Sequence, residues 1–207
     1  MTPYAAMAAQ AQALYDQGRS AQDALRECYG VAFPGEIFAI AASGFEERGS
    51  TAELTDRPWR LLTRPVPPAP TGTDKIEEAV VRLDPDLIPL AFLTDDARHG
   101  DALVCYRVTD LTAGATTVYG LPGVLWSVPE RLPDETRRLG DSLLAVLSEY
   151  FTDAYNRLEQ ESNRPSNRGT GAIDNDTLDE ARSLVDLIES LKRQLIFGLK
   201  EPETPAG

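Results

Sequence analysis

Apolar residues recur at helical spacing at both ends of the chain and alternate or run together in its middle, and this change of period divides it. Thr2 and Pro3 supply a cap and first turn for a helix predicted over Pro3 to Tyr15, which Gly18 stops. Ser20 begins a second helix, with Asp23 three residues on, apolar positions at Ala21, Ala24, Leu25 and Cys28, and Gly30 to end it. Pro34 and Glu36 suit the first turn of a third, whose apolar face is Ile37, Phe38, Ile40 and Ala41 before Gly44.

From Glu46 to Gly72 the helical period is lost. Prolines are scattered here and cluster in Pro65-Val66-Pro67-Pro68-Ala69-Pro70, so an exposed, stiff loop is expected near 57–72, because proline lacks a ladder donor and favours polyproline II. Short strands are then predicted over Ala79 to Leu83, Leu87 to Leu93, Ala102 to Val108, Thr116 to Tyr119 and Val124 to Val128. The segments Asp95 to Asp101 and Thr109 to Ala115 each carry a glycine and read as hairpin connections of an antiparallel meander. Ala102, Val104, Tyr106 and Val108 share one face of their strand, and Leu103 and Cys105 on the other imply that both faces are covered.

Beyond Pro133 the helical stripe returns as Leu143, Leu144, Leu147, Tyr150, Phe151, Ala154 and Leu158, up to a polar break from Glu161 to Gly171. A last amphipathic helix is predicted from about Thr177 to Gly198, carrying Leu178, Val185, Ile188, Leu191 and Leu195. The expected fold class is α+β, a single antiparallel sheet flanked by N-terminal and C-terminal helices. The expected organisation is an α+β domain over 1–163, a loop and amphipathic helix over 164–200, and a disordered tail over 201–207.

Composition narrows the possible functions. With 207 residues, 42% hydrophobic and 26% charged, the chain can build a real core. No apolar run approaches the roughly 18 residues of a membrane span, and the N-terminus lacks the pattern of a secretion signal, so a cytoplasmic protein with no membrane contact is expected. The 33 acidic against 20 basic side chains give a net charge of −13, which disfavours nucleic acid and favours a cationic protein partner. Cys28 and Cys105 have no CxxC and no companion histidines, which argues against zinc; two buried free thiols are expected, with a disulfide left open.

Chemistry-bearing motifs are sparse. His99 is the only histidine, and no Gly-x-Ser-x-Gly elbow accompanies it, so it reads as a turn residue. Asp95, Asp96 and Asp101 match no calcium loop, and Asp174-Asn175-Asp176 has Asp179 where an EF-hand needs glycine, leaving a helix-capping turn. The adjacent pairs Glu46-Glu47 and Glu77-Glu78 read as solvated. Neither Gly-x-x-x-x-Gly-Lys-Ser/Thr nor Gly-x-Gly-x-x-Gly occurs, and no cofactor, metal or enzymatic activity is expected.

Three stretches resemble the SUKH superfamily, the group that includes the yeast cell-wall-assembly regulator and many bacterial toxin-immunity proteins. Leu25 to Ile40 is similar to the family's succession of helix, glycine, apolar-proline pair and second helix, with Phe33 where leucine is usual. Ile88-Pro89-Leu90-Ala91-Phe92 with Gly100-Asp101-Ala102-Leu103-Val104-Cys105-Tyr106 resembles its central hairpin, and Asp141 to Leu147 its closing helix. Ala42-Ser43-Gly44 replaces the typical Asn-Gly-Gly turn. The resemblance implies a binding function, occlusion of a toxin, and carries over no catalytic residues. An acidic surface capping a cationic toxin such as a nuclease would draw on turn residues, and Asp95, Asp96 and Asp101 with Glu46 and Glu47 are the candidates. The alternatives are a housekeeping regulator or assembly scaffold, with the C-terminal helix as a homodimer contact, and a hydrolase centred on His99 and its aspartates.

Overall fold

The computed structural model describes residues 3–45, 52–94, 100–124, 128–134, 136–163 and 175–198. Five antiparallel strands form one sheet in chain order: β1 Ala52–Leu54, β2 Leu87–Leu93, β3 Ala102–Arg107, β4 Val118–Pro122 and β5 Arg137–Gly140. With the helices before, between and after it, this is the expected α+β meander.

Local signals set the first helices. α1 (Pro3–Asp16) ends at Gly18, which takes a φ of 76°. The Ser20 hydroxyl accepts the Asp23 N–H at 3.1 Å to cap α2 (Ala21–Tyr29), and left-handed Gly30 donates to the Arg26 carbonyl at 2.8 Å to end it. Extended Pro34 then redirects the chain into α3 (Gly35–Ala42), where Ile37 and Ile40 are buried and Phe38 is half-buried.

Both faces of the sheet are covered. On one, Ile88, Leu90, Leu93, Val104 and Tyr106 pack with α1, α2, α3 and α7 (Leu143–Ser162). Leu184, Ile188 and Leu191 of α8 (Asn175–Gly198) enter the same core, so the helix beyond residue 164 shares the interior of the residues before it. On the other face, Ile76 and Val80 of α5 (Asp74–Leu83) meet Leu87, Phe92, Leu103, Cys105 and Leu121. Burial from both sides explains why all seven residues of β2 are apolar and buried. A bulge between Pro89 and Ala91 moves the alternation by one, so that Leu90 faces the larger core and Phe92 the smaller. The Leu90 carbonyl accepts from Trp59 Nε1 at 2.6 Å and from the Thr55 N–H at 3.1 Å.

The structure corrects several expectations. Ala79 to Leu83 belongs to α5, not to a strand: its β-branched pair is helical because Ile76, Ala79 and Val80 share a face and Asp74 and Glu77 occupy the first turn. The proline-rich segment is not simply an exposed loop. It follows β1 and contains the short α4 (Trp59–Leu62), and Trp59, Leu61 and Val66 are buried. Its carbonyls, which prolines leave available, are held by α1: Tyr4 Oη donates to Pro67 O at 2.8 Å and Tyr15 Oη to Leu61 O at 2.8 Å, while Gln12 Oε1 accepts the Val66 N–H at 2.9 Å.

Val108 does not continue β3 but starts α6 (Val108–Thr112), which occupies the connection expected over Thr109 to Ala115. The fourth strand lies two to three residues later than predicted, and the fifth is Arg137–Gly140; Val124 and Val128 are outside any strand, and 125–127 are outside the described residues. Cys105 is buried, Cys28 is half-buried, and both thiols are free. The tail 201–207 and most of the polar break after Glu161 lie outside the described residues. No helix of the described residues is long and apolar enough to cross a membrane.

Candidate functional site

Of the five acidic residues offered to a partner, Asp101 is exposed at the start of β3, where its carbonyl accepts the Gly123 N–H at 3.0 Å. Glu46, Glu47, Asp95 and Asp96, together with His99, lie outside the described residues. Among the described residues no group of three His, Cys, Asp or Glu side chains could hold a metal ion.

Two buried carboxylates that sequence patterning treated as helix-end or solvated residues organise the interior. Glu36, in the first turn of α3, is directed away from its own helix. Its Oε1 accepts the Tyr106 hydroxyl of β3 and the Leu143 N–H at 2.9 Å, and its Oε2 accepts the Leu144 N–H at 3.0 Å. Ser142 completes the set, its hydroxyl accepting from Ala145 N at 3.1 Å and its carbonyl from Val146 N at 3.2 Å. All four leading amides of α7 are therefore satisfied, two of them by a carboxylate suited to the positive end of a helix. Burial, and then the adjacent Glu36 charge, hold the Tyr106 phenol well above its ordinary pKa, so it remains the donor.

Glu77, expected to be solvated, is 1% exposed. Its Oε1 accepts from the Asp56 N–H and the Thr73 hydroxyl, each at 2.7 Å, and its Oε2 from Arg57 N at 3.0 Å and Arg57 Nε at 3.3 Å. Buried Asp56 accepts from Thr71 N at 2.7 Å and pairs with Arg60 Nε at 3.2 Å. The network pins the turn between β1 and α4 onto the first turn of α5. Burial pushes the Glu77 carboxyl above its ordinary value of 4.5, against the opposing pull of Thr73 and Arg57.

That direction sets a pH dependence. A carboxyl whose folded pKa is raised holds its proton more tightly in the folded chain, so its contribution to stability is fully present below the unfolded value, about 4.5, and is lost as the pH rises through the raised value. Glu77→Gln removes that component. Urea unfolding from about pH 4 to neutrality should therefore show the wild-type free energy, minus that of the variant, falling with pH. A difference that rises or stays level overturns the assignment.

Arg57 is the least satisfied member of this network. Its side chain is 9% exposed, Nε is used by Glu77, Nη1 lies 3.6 Å from Met7 Sδ, and Nη2 is buried without a hydrogen-bond partner. Such an orphaned donor costs about 1–3 kcal/mol or more when charged. Arg57 lines two spaces. An inner cavity of about 220 Å³ is walled by Met7, Cys28, Tyr29, Val81, Leu87 and Val108 among others, and the Tyr29 hydroxyl is also buried and unpartnered. Burial raises the Tyr29 phenol and pushes the Cys28 thiol up to about 11, leaving both protonated. An outer cleft of about 510 Å³ is bounded by Arg57, Lys75, Glu78, Val81 and Arg82. The arrangement presents donors and positive charge to an acceptor, with apolar walls behind.

Sequence patterning missed Arg57 because its partners, Met7 and Glu77, are 50 and 20 residues away. The one available signal was the i, i+3, i+7 placement of Lys75, Glu78 and Arg82, which sets them on one helical face. Compared with protein-family models, with curated proteins and with solved structures, the chain matches none.

Proposed function

We propose that the chain is a cytoplasmic, non-catalytic protein-binding module of the immunity type, which neutralises a cationic toxin by covering it. The observation that carries this reading is the Glu36 node. The three stretches that resemble the SUKH superfamily are far apart in sequence, yet Glu36 from the first, Tyr106 from the second and Leu143 and Leu144 from the third share one buried carboxylate. Residues that carry a resemblance and also join across 70 and 107 positions support a common architecture more strongly than short motifs alone. The acidic balance of the chain supplies the complementarity to a basic partner.

The test is to co-express the chain with the product of a toxin-like gene directly upstream of its own. Restored growth and a co-eluting complex are expected, and failure of both overturns the immunity reading. In the isolated complex the association rate should fall steeply as salt rises, while dissociation changes less, because screening acts on long-range attraction. Neutralising Glu46, Glu47, Asp95, Asp96 and Asp101 together to Gln or Asn should flatten the salt slope. An unchanged slope in that variant would place the acidic face elsewhere.

A further inference from the structure

We propose that Arg57 and the adjoining face of α5 form a binding site for a small amphiphilic anion, an apolar chain ending in a carboxylate or phosphate. Three independent features meet there. The inner cavity is walled mainly by Met7, Val81, Leu87, Ile88 and Val108, which suits an apolar chain. Beside the Arg57–Glu77 pair, the outer cleft carries Lys75 and Arg82 against Glu78, whose Oε1 is buried and unpartnered, a small local excess of positive charge on a chain whose net charge is −13. Arg57 and Val81 line both spaces, so the junction of apolar wall and cationic mouth falls at the guanidinium whose Nη2 is buried and unpartnered.

Glu77 offsets the charge of Arg57, so the net positive charge of the region comes from Lys75 and Arg82 against Glu78. Both oxygens of Glu77 are engaged by the Asp56 and Arg57 amides, the Thr73 hydroxyl and Arg57 Nε, which leaves the Nη2 side of the fork for an incoming oxygen. The Tyr29 hydroxyl, unpartnered in the wall of the inner cavity, is a second donor. Within the described residues Lys75 and Arg82 form no ion pair, and they stand one turn to either side of Glu78 on the cleft-facing side of α5. A headgroup at Arg57 with its chain directed past Val81 satisfies the buried N–H and fills the apolar space with one ligand.

The experiment uses the full chain and four probes: octanoate, octyl phosphate, octanol and acetate, each titrated by calorimetry. Saturable one-to-one binding of octanoate or octyl phosphate is expected, with octanol and acetate at least tenfold weaker; the tighter of the two anions identifies the headgroup. The bound anion should slow alkylation of half-buried Cys28 by iodoacetamide, since that thiol lines the inner cavity. Arg57→Met should abolish binding. Because that change also touches the Glu77 network, Lys75→Gln combined with Arg82→Gln provides a second variant at exposed positions, expected to weaken binding at least threefold with an unchanged melting temperature. Absence of binding by both anions, octanol binding as tightly as octanoate, or undiminished affinity in the double variant would each overturn the proposal.

Discussion

Glu36→Ala is expected to cost the fold about 3 to 5 kcal/mol, because it strips a buried Tyr106 hydroxyl and two leading amides of α7 of their common acceptor. Against a typical total stability of about 5 to 15 kcal/mol, that is a large share. Tyr106→Phe removes one donor and leaves the carboxylate with the other two, so it should cost about 1 to 2 kcal/mol. In the Glu36→Ala background the same tyrosine change should cost little, because its partner is already gone. Urea midpoints of the three variants measure the cycle. A wild-type midpoint for Glu36→Ala would show that this carboxylate does not hold the start of α7.

Val104→Asp should abolish cooperative folding. Val104 is 0% exposed in the third of five strands, opposite Ala91 on one side and Gly120 on the other, with its side chain in the larger core. An aspartate there has no cationic partner among the surrounding apolar side chains, and burying an unpaired charge belongs to the few mechanisms that exceed about 4 to 5 kcal/mol. Val104→Thr separates polarity from shape: it keeps the volume and buries one hydroxyl, for a cost of about 1 to 3 kcal/mol. Circular dichroism and thermal melting check both. A cooperative melt of the aspartate variant near the wild-type temperature would mean that this face of β3 does not meet the helices.

What the sequence made legible is what short-range chemistry decides. Ser20, Asp23 and Gly30 delimit α2 because a cap and a left-handed stop act within a few residues. The alternation through Ala102 to Tyr106 assigned both faces of β3 correctly, since each side chain's direction follows from its neighbour's. What escaped was decided by distant partners. β1 is three residues long and exists by pairing with Leu93, Phe92 and Ala91. The proline-rich segment is seated by Tyr4, Gln12 and Tyr15 of α1, and composition records none of those contacts. Glu36 read correctly as a first-turn acid, but the helix end it serves most is that of α7. At the expected acidic surface, Asp101 alone falls within the described residues.

The order of the sheet also bears on how a second protein can engage it. Strand addition requires an open row of backbone donors and acceptors, and this fold places its longest apolar strands, β2 and β3, at the interior of the ladder. The two edges are a three-residue strand with exposed Glu53 and a four-residue strand with exposed Arg137 and Arg138. Where β1 stops short of the full length of β2, Thr55 and Trp59 take the carbonyls of Pro89 and Leu90, and Pro89 has no N–H to offer. Among the described residues neither edge offers a long uncharged template for β-augmentation or for stacking of copies into aggregates.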